Sequence, residues 1–237
     1  MSLTDDLTEA SQYTGTIFQR IGELLILFIV SIIPIVDFIT IGYYARIIRD
    51  NPSSKAPPKL ENYMDMFVEG LKIIAVVIIW AIIIAIIAIL IAIPFILTIP
   101  LIALTDPSFW LTPAAFFVLG PIILIFGVIA FLLGIIAFMG IVHMVKNDSF
   151  GKAFAFREIF DMIGKIGWLR YLAFFGVFFV VSAIIGSIAG ALGALGWVLS
   201  AFLNVLAGIF LARTIGLLYD QTTKPLTQLP PTPTATS

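Results

Sequence analysis

The chain has 237 residues, 61% of them hydrophobic and 11% charged, with a net charge of −1. Soluble domains run at about 45–50% apolar and about 25% charged, so a mean hydropathy of +1.14 leaves too little polar surface to cover a globule in water. This composition excludes a soluble domain, and the charge balance gives no electrostatic pull toward nucleic acid. The chain has no cysteine, which rules out disulfides, thiolate metal sites and a cysteine nucleophile. His143 is its single histidine, so a histidine-rich zinc site or a Ser-His-Asp triad is hard to build. The apolar runs are long and do not alternate, so the bilayer is crossed by helices rather than by a barrel.

Residues 1–20 are a short polar, acidic lead with one basic residue, Arg20. It lacks the basic and apolar regions of a cleavable signal, so the first membrane segment is expected to act as an uncleaved one. That segment, 21–45, contains Pro34 and Asp37. Proline removes a helix hydrogen bond. The segment is therefore either one kinked span or a re-entrant pair of half-helices that enters and leaves on one face.

The connection 46–72 carries Arg46, Arg49, Lys55, Lys59 and Lys72, and its prolines stop the helix. Beyond Pro58, Glu61, Asp65 and Glu69 recur every fourth residue. The expectation is an amphipathic helix lying at the interface. A second span covers 73–98, closed by Pro94 and Pro100, and a third covers 115–142 after a turn bearing Trp110.

The connection 143–170 is again basic. Arg157, Asp161 and Lys165 fall at i, i+4 and i+8, with Ala153, Phe156, Phe160 and Ile163 on the other side. This predicts a second interfacial helix, with Trp168 and Tyr171 as interfacial aromatics. From Tyr171 to Ala212 no residue is charged, room for spans at 171–190 and 195–213. The Gly-rich stretch between them permits a tight turn, and Gly186 and Gly190 match the spacing that lets helices approach closely, against another membrane protein or another copy of this chain. Asn204 is the amide of the last span. The Thr/Pro-rich tail, 221–237, is expected to be disordered.

The stretch IIPIVDFITIGYYARIIRD, the Pro-rich gap, MDMFVEGLKIIAVVIIW and KAFAFREIFDMIGKIGWLRYL together resemble the largely archaeal membrane-protein family labelled domain of unknown function 4013, over most of residues 17–220. The resemblance implies a polytopic helical membrane protein and carries over no activity. In that family an amide is usual where this chain has Asp37, which counts against a mechanism that needs the carboxylate. The halves also share an inexact plan, with Gly42/Ile47/Asp50 against Gly140/Val145/Asp148 and Asp65-Met66 against Asp161-Met162, suggesting an internal duplication within a membrane domain at 21–220.

The expected fold is thus all-α: about five apolar segments with two cytoplasmic interfacial helices. The basic connections 46–72 and 143–170 place themselves and the C-terminus in the cytoplasm under the positive-inside rule. Asp37 and Asn204 are the candidate intramembrane polar residues. Asp37 lies either beside the broken backbone as a cation or proton site, or near the interface paired with Arg46, Arg49 or Arg213. Arg46, Arg49, Arg157, Lys165 and Arg213 are expected as interface or topology anchors. No phosphate loop, catalytic carboxylate pair or metal-ligand spacing occurs, so neither enzyme chemistry nor a cofactor is expected. The leading expectation is a non-enzymatic scaffold or accessory component of the cell membrane. The alternative is a small transporter or channel using Asp37 near the Pro34 break.

Overall fold

The computed structural model describes residues 3–105 and 113–223. Its helices are α1 (Leu3–Gly15), α2 (Ile21–Ile32), α3 (Phe38–Arg49), α4 (Tyr63–Thr105), α5 (Pro113–Asn147), α6 (Phe156–Ile166), α7 (Trp168–Leu192) and α8 (Ala194–Thr223), with 3-10 turns at Thr16–Arg20 and Phe150–Phe154. The expected turn around Trp110 and the tail from residue 224 lie outside the described residues.

Among the described residues, five helical runs are long and apolar enough to cross a bilayer: Leu3–Ile32, Tyr63–Pro94, Leu119–Asn147, Trp168–Leu192 and Leu195–Thr223. Only 11–22% of the most apolar window of each is buried within the chain, so their Ile, Leu and Phe faces need lipid to cover them. The chain is a polytopic helical membrane protein, embedded in a bilayer.

The chain forms two compact units. One is built from residues up to Gly70 and from Phe160 onward, the other from Leu71 to Ile159. In the first, α8 is the central post, packed on by α7, α1, α3 and α2. The α7–α8 hairpin turns at Gly193, whose φ of +56° suits glycine. It closes at Gly196, where an added Cβ would overlap the carbonyl of Ala189. In the second, α5 packs along the Phe150–Phe154 turn. Gly140 lets that turn approach, since a Cβ there would meet the carbonyl of Ala153.

The segment expected at 21–45 is a hairpin, not a kinked span. α2 and α3 have 12 residues each, about 18 Å apiece, and α3 alone cannot cross a core of roughly 30 Å. The start of α2 and the chain after α3 are tied together. Arg20 donates to the carbonyls of Pro57 and Pro58, Glu23 accepts from the Leu60 amide at 3.1 Å, and Tyr43 donates to Pro58 at 2.9 Å. α3 therefore returns to the level at which α2 began. The crossing-length run at this end of the chain is Leu3–Ile32, which takes in most of the polar lead expected at 1–20.

α3 is gripped on two sides by close backbone approach. A Cβ on Gly42 would overlap the Met66 carbonyl, and one on Gly70 would overlap the Phe38 carbonyl. Gly208 makes room for the Tyr44 ring, and Gly216 faces Ile48. Thr40, Gly42, Tyr43, Ala45, Ile47 and Ile48 are accordingly buried.

Several boundaries depart from expectation. Residues 63–72 are not a separate interfacial helix but the leading turns of α4. Gly70 is held helical against α3, so the polar turns and the apolar run propagate as one. α4 also continues through Pro94 and Pro100, because in lipid a non-helical backbone leaves more unsatisfied groups than a proline in a helix. α8 extends past residue 213 to Thr223, where α1 packs beside it.

α6 forms where the charge row predicted it, but its buried face is Ile159, Ile163 and Ile166, while Phe156 and Phe160 are exposed. Trp168 is exposed as an interfacial aromatic should be, whereas Tyr171 is fully buried with its ring edge-on to Phe175 at 5.2 Å.

Candidate functional site at the broken membrane segment

The break is local in origin. α2 ends at Ile32, and Ile33 turns to extended backbone (φ −98°, ψ 109°) ahead of Pro34, the conformation that a following proline favours. The reversal is held by backbone bonds from Asp37 N to Ile33 O (2.8 Å) and Ile39 N to Val36 O (2.9 Å). Asp37 thus heads α3, where the positive end of the helix favours an acid.

Behind the turn lies a cavity of about 400 Å³ between α2, α3 and α8. Asp37, Asn204, Ser31, Ser200 and Tyr44 supply its polar lining, with Trp197 at the α8 wall. The two candidate intramembrane polar residues therefore meet at one site. Ser31, Ser200, Tyr44 and Trp197 were not anticipated. Ser200 and Asn204 stand at i and i+4, a spacing that could have shown a polar face on α8.

The donors of these groups turn inward to the helices. Ser31 Oγ donates to Phe28 O (2.8 Å), Ser200 Oγ to Trp197 O (2.8 Å) and Asn204 Nδ2 to Ser200 O (2.8 Å). Tyr44 points its hydroxyl at Val205 O, 3.5 Å away.

None of the three arginines considered as partners for Asp37 meets it. Arg46 donates to the carbonyls of Glu61 and Asn62, and Arg49 pairs with Glu69 at 3.0 Å. Arg213 is 1% exposed and is the centre of a second polar cluster. Its guanidinium lies over the Tyr13 ring, 4.3 Å from the centroid. It donates to Asn51 O (3.0 Å), Pro52 O (2.8 Å), Ser54 O (2.9 Å) and Glu9 Oε1 (2.7 Å).

Asp50 completes the cluster, accepting from Tyr13 Oη (2.7 Å) and Ser54 Oγ (2.9 Å). Beside it, buried Asp6 accepts from Arg170 and from Gln221 Nε2 (2.8 Å). Arg213, expected as an interface or topology anchor, is thus bonded inside the fold. Long guanidinium reach explains this, since one side chain can cap three loop carbonyls and a carboxylate at once.

Of the remaining anchors, Lys165 pairs with Asp161 at 2.8 Å and Arg157 is exposed. Gly186 and Gly190 face open space, with nothing within 4 Å of an added Cβ.

The Leu71–Ile159 unit has its own polar cluster. Glu158 accepts from Lys152 (2.7 and 2.6 Å) and stands 2.9 Å from His143 Nε2, while Asn147 Nδ2 donates to His143 O (2.8 Å). Lys152 first, then His143, holds the Glu158 carboxyl below its ordinary range. A depressed native pKa gives stability that is complete above the unfolded value of about 4.3 and is lost as pH falls through the native one. Glu158→Gln should therefore lower the melting temperature at pH 7, and the gap from the parent should close on acidification below about pH 4. A gap constant with pH would show that the carboxylate charge is not what matters.

Among the described residues, no group of three His, Asp or Glu side chains converges to hold a metal ion. No curated protein and no solved structure matches the chain. A family match runs from within α2 to the first residue of α8, so it contains Asp37 and Gly42 but ends before Ser200, Asn204 and Arg213. With that match over residues 25–194, the chain belongs to the family described as Protein of unknown function (DUF4013).

Proposed function

We propose that the protein is a non-enzymatic organising component of the cell membrane, with its basic connections and C-terminus on the cytoplasmic side. The observation that supports this most is the surface around α6. Phe156, Phe160, Trp168 and Leu169 are exposed there, with Arg157 exposed and Lys165 paired to Asp161 of its own helix. Apolar rings beside cations suit an anionic leaflet surface or a companion at that surface. The test is Arg157→Glu with Lys165→Glu, followed by cross-linking in intact membranes. The expected result is loss of a reproducible companion or of leaflet protection at Trp168, with unchanged folding. Unchanged cross-links and protection would overturn the reading.

A second reading, a small transporter or channel, draws on the cavity at Asp37. It requires pH- or solute-dependent flux in proteoliposomes that Asp37→Asn removes. Absence of flux over a panel of small cations would sink it and leave the organising role standing.

A further inference from the structure

The cavity behind Pro34 presents acceptors and few donors. The hydroxyls of Ser31 and Ser200 donate to carbonyls of their own helices, as does one amide hydrogen of Asn204. What these groups can still offer an occupant is lone pairs: two serine oxygens, the Asn204 carbonyl and the Asp37 carboxylate. A group that meets several lone pairs and one negative charge is a donor-rich cation.

Size selects among cations. About 400 Å³ is far more than a bare metal ion fills, and such an ion needs oxygens closed around it at about 2.0–2.6 Å. The wall is part apolar, through Ile32, Ile41 and Val205, which suits a short carbon stem. Trp197 and Tyr44 belong to the same lining, and aromatic residues of these types attract a cation.

We propose that this cavity is a binding site for a primary ammonium group on a short apolar stem, held by Asp37 with Asn204, Ser31 and Ser200 as acceptors. The site deepens the second reading above but does not depend on transport, because binding is read separately from flux. The ammonium can come from a soluble amine or from an aminophospholipid headgroup, since the cavity lies within membrane-embedded helices.

The experiment uses the full chain in phosphatidylcholine nanodiscs, with butylammonium chloride as probe and 1-butanol and sodium chloride at equal concentration as comparators. Butylammonium should raise the melting temperature and the comparators should not. Asp37→Asn should weaken apparent binding about tenfold or more, the scale of a charge-assisted bond, and Asn204→Leu should weaken it several-fold. Asp161→Asn, a carboxylate outside the cavity, should leave it unchanged.

Replacing part of the lipid with phosphatidylethanolamine separates the sources. A lipid occupant raises the melting temperature of the parent and blunts the butylammonium increment, both dependent on Asp37, whereas a soluble occupant leaves the increment intact. Equal stabilisation by butanol, or full binding by folded Asp37→Asn protein, overturns the proposal. Binding that survives without flux removes the transport reading alone.

Discussion

Gly42→Ala should be among the most damaging single-methyl changes in the chain. The added carbon has no lateral escape, because what it meets is the Met66 backbone rather than a movable side chain. Overpacking of a tight core costs about 1–3 kcal/mol, occasionally more, and a clash between two helix backbones belongs at the top of that range. For a chain of this size, a loss of about 3 kcal/mol lowers the melting temperature by roughly 6–12 °C. Gly70→Ala should behave alike, since it strikes Phe38 from the other side of the same crossing. Gly186→Ala, where nothing lies within 4 Å, serves as the comparison and should change little. Thermal unfolding in detergent decides this, and similar melting temperatures for Gly42→Ala and Gly186→Ala would refute the backbone-contact account.

Arg213→Leu should be the other severe change, by a different mechanism. The arginine caps three carbonyls of one loop, those of Asn51, Pro52 and Ser54, and a carboxylate while being almost fully buried. Glu9 keeps 36% of its side chain exposed, so water takes up part of its loss and the cost falls below the roughly 3–5 kcal/mol of a fully buried pair. The three loop carbonyls left without a donor supply the rest. Arg213→Lys should recover little, as an ammonium cannot span the spread acceptors of a planar fork. In Glu9→Gln/Arg213→Leu the losses should fall short of additive by about 0.5–1 kcal/mol, since Glu9 is partly screened by water. Strict additivity, or near-full recovery by lysine, would mean that Arg213 contributes bulk rather than directed bonds.

The later spans were legible because a chain this apolar has few alternatives and charge-free runs mark them, but the first, Leu3–Ile32, was not, since Asp5, Asp6, Glu9, Arg20 and Glu23 interrupt it. The ends of the later spans were not legible either. Pro94 and Pro100 read as stops by rules drawn from water, yet α4 passes both. The α8 extension beyond Arg213 depends on α1 lying beside it, which no local pattern encodes.

The site was half legible. Asp37 and Asn204 stood out as isolated polar residues in apolar runs, but that they share a cavity depends on a hairpin folding against α8. The Arg213 cluster was out of reach for the same reason. Its partners Glu9, Asp50 and Ser54 are ordinary polar residues until the fold assembles them. On α6 the periodicity gave the helix, but Ile159, Ile163 and Ile166 form one arc beside Phe156 and Phe160, and only packing decided which part of that apolar face is buried.

The Arg213–Glu9 bond closes a separation of 204 residues, and this has a consequence for how the protein is made. A ribosome delivers Glu9, Tyr13 and Asp50 early, and their arginine is synthesised only after α7 is complete. The same holds for Asp6, which waits for Arg170 and Gln221. The α2–α3 hairpin must therefore enter the bilayer before the helix that walls its cavity exists. Its early carboxylates pass that interval in water or among lipid headgroups. Completion of α8 is thus the step at which the first-made end of the chain becomes fixed, so a nascent chain halted before residue 213 should leave α1 open to protease.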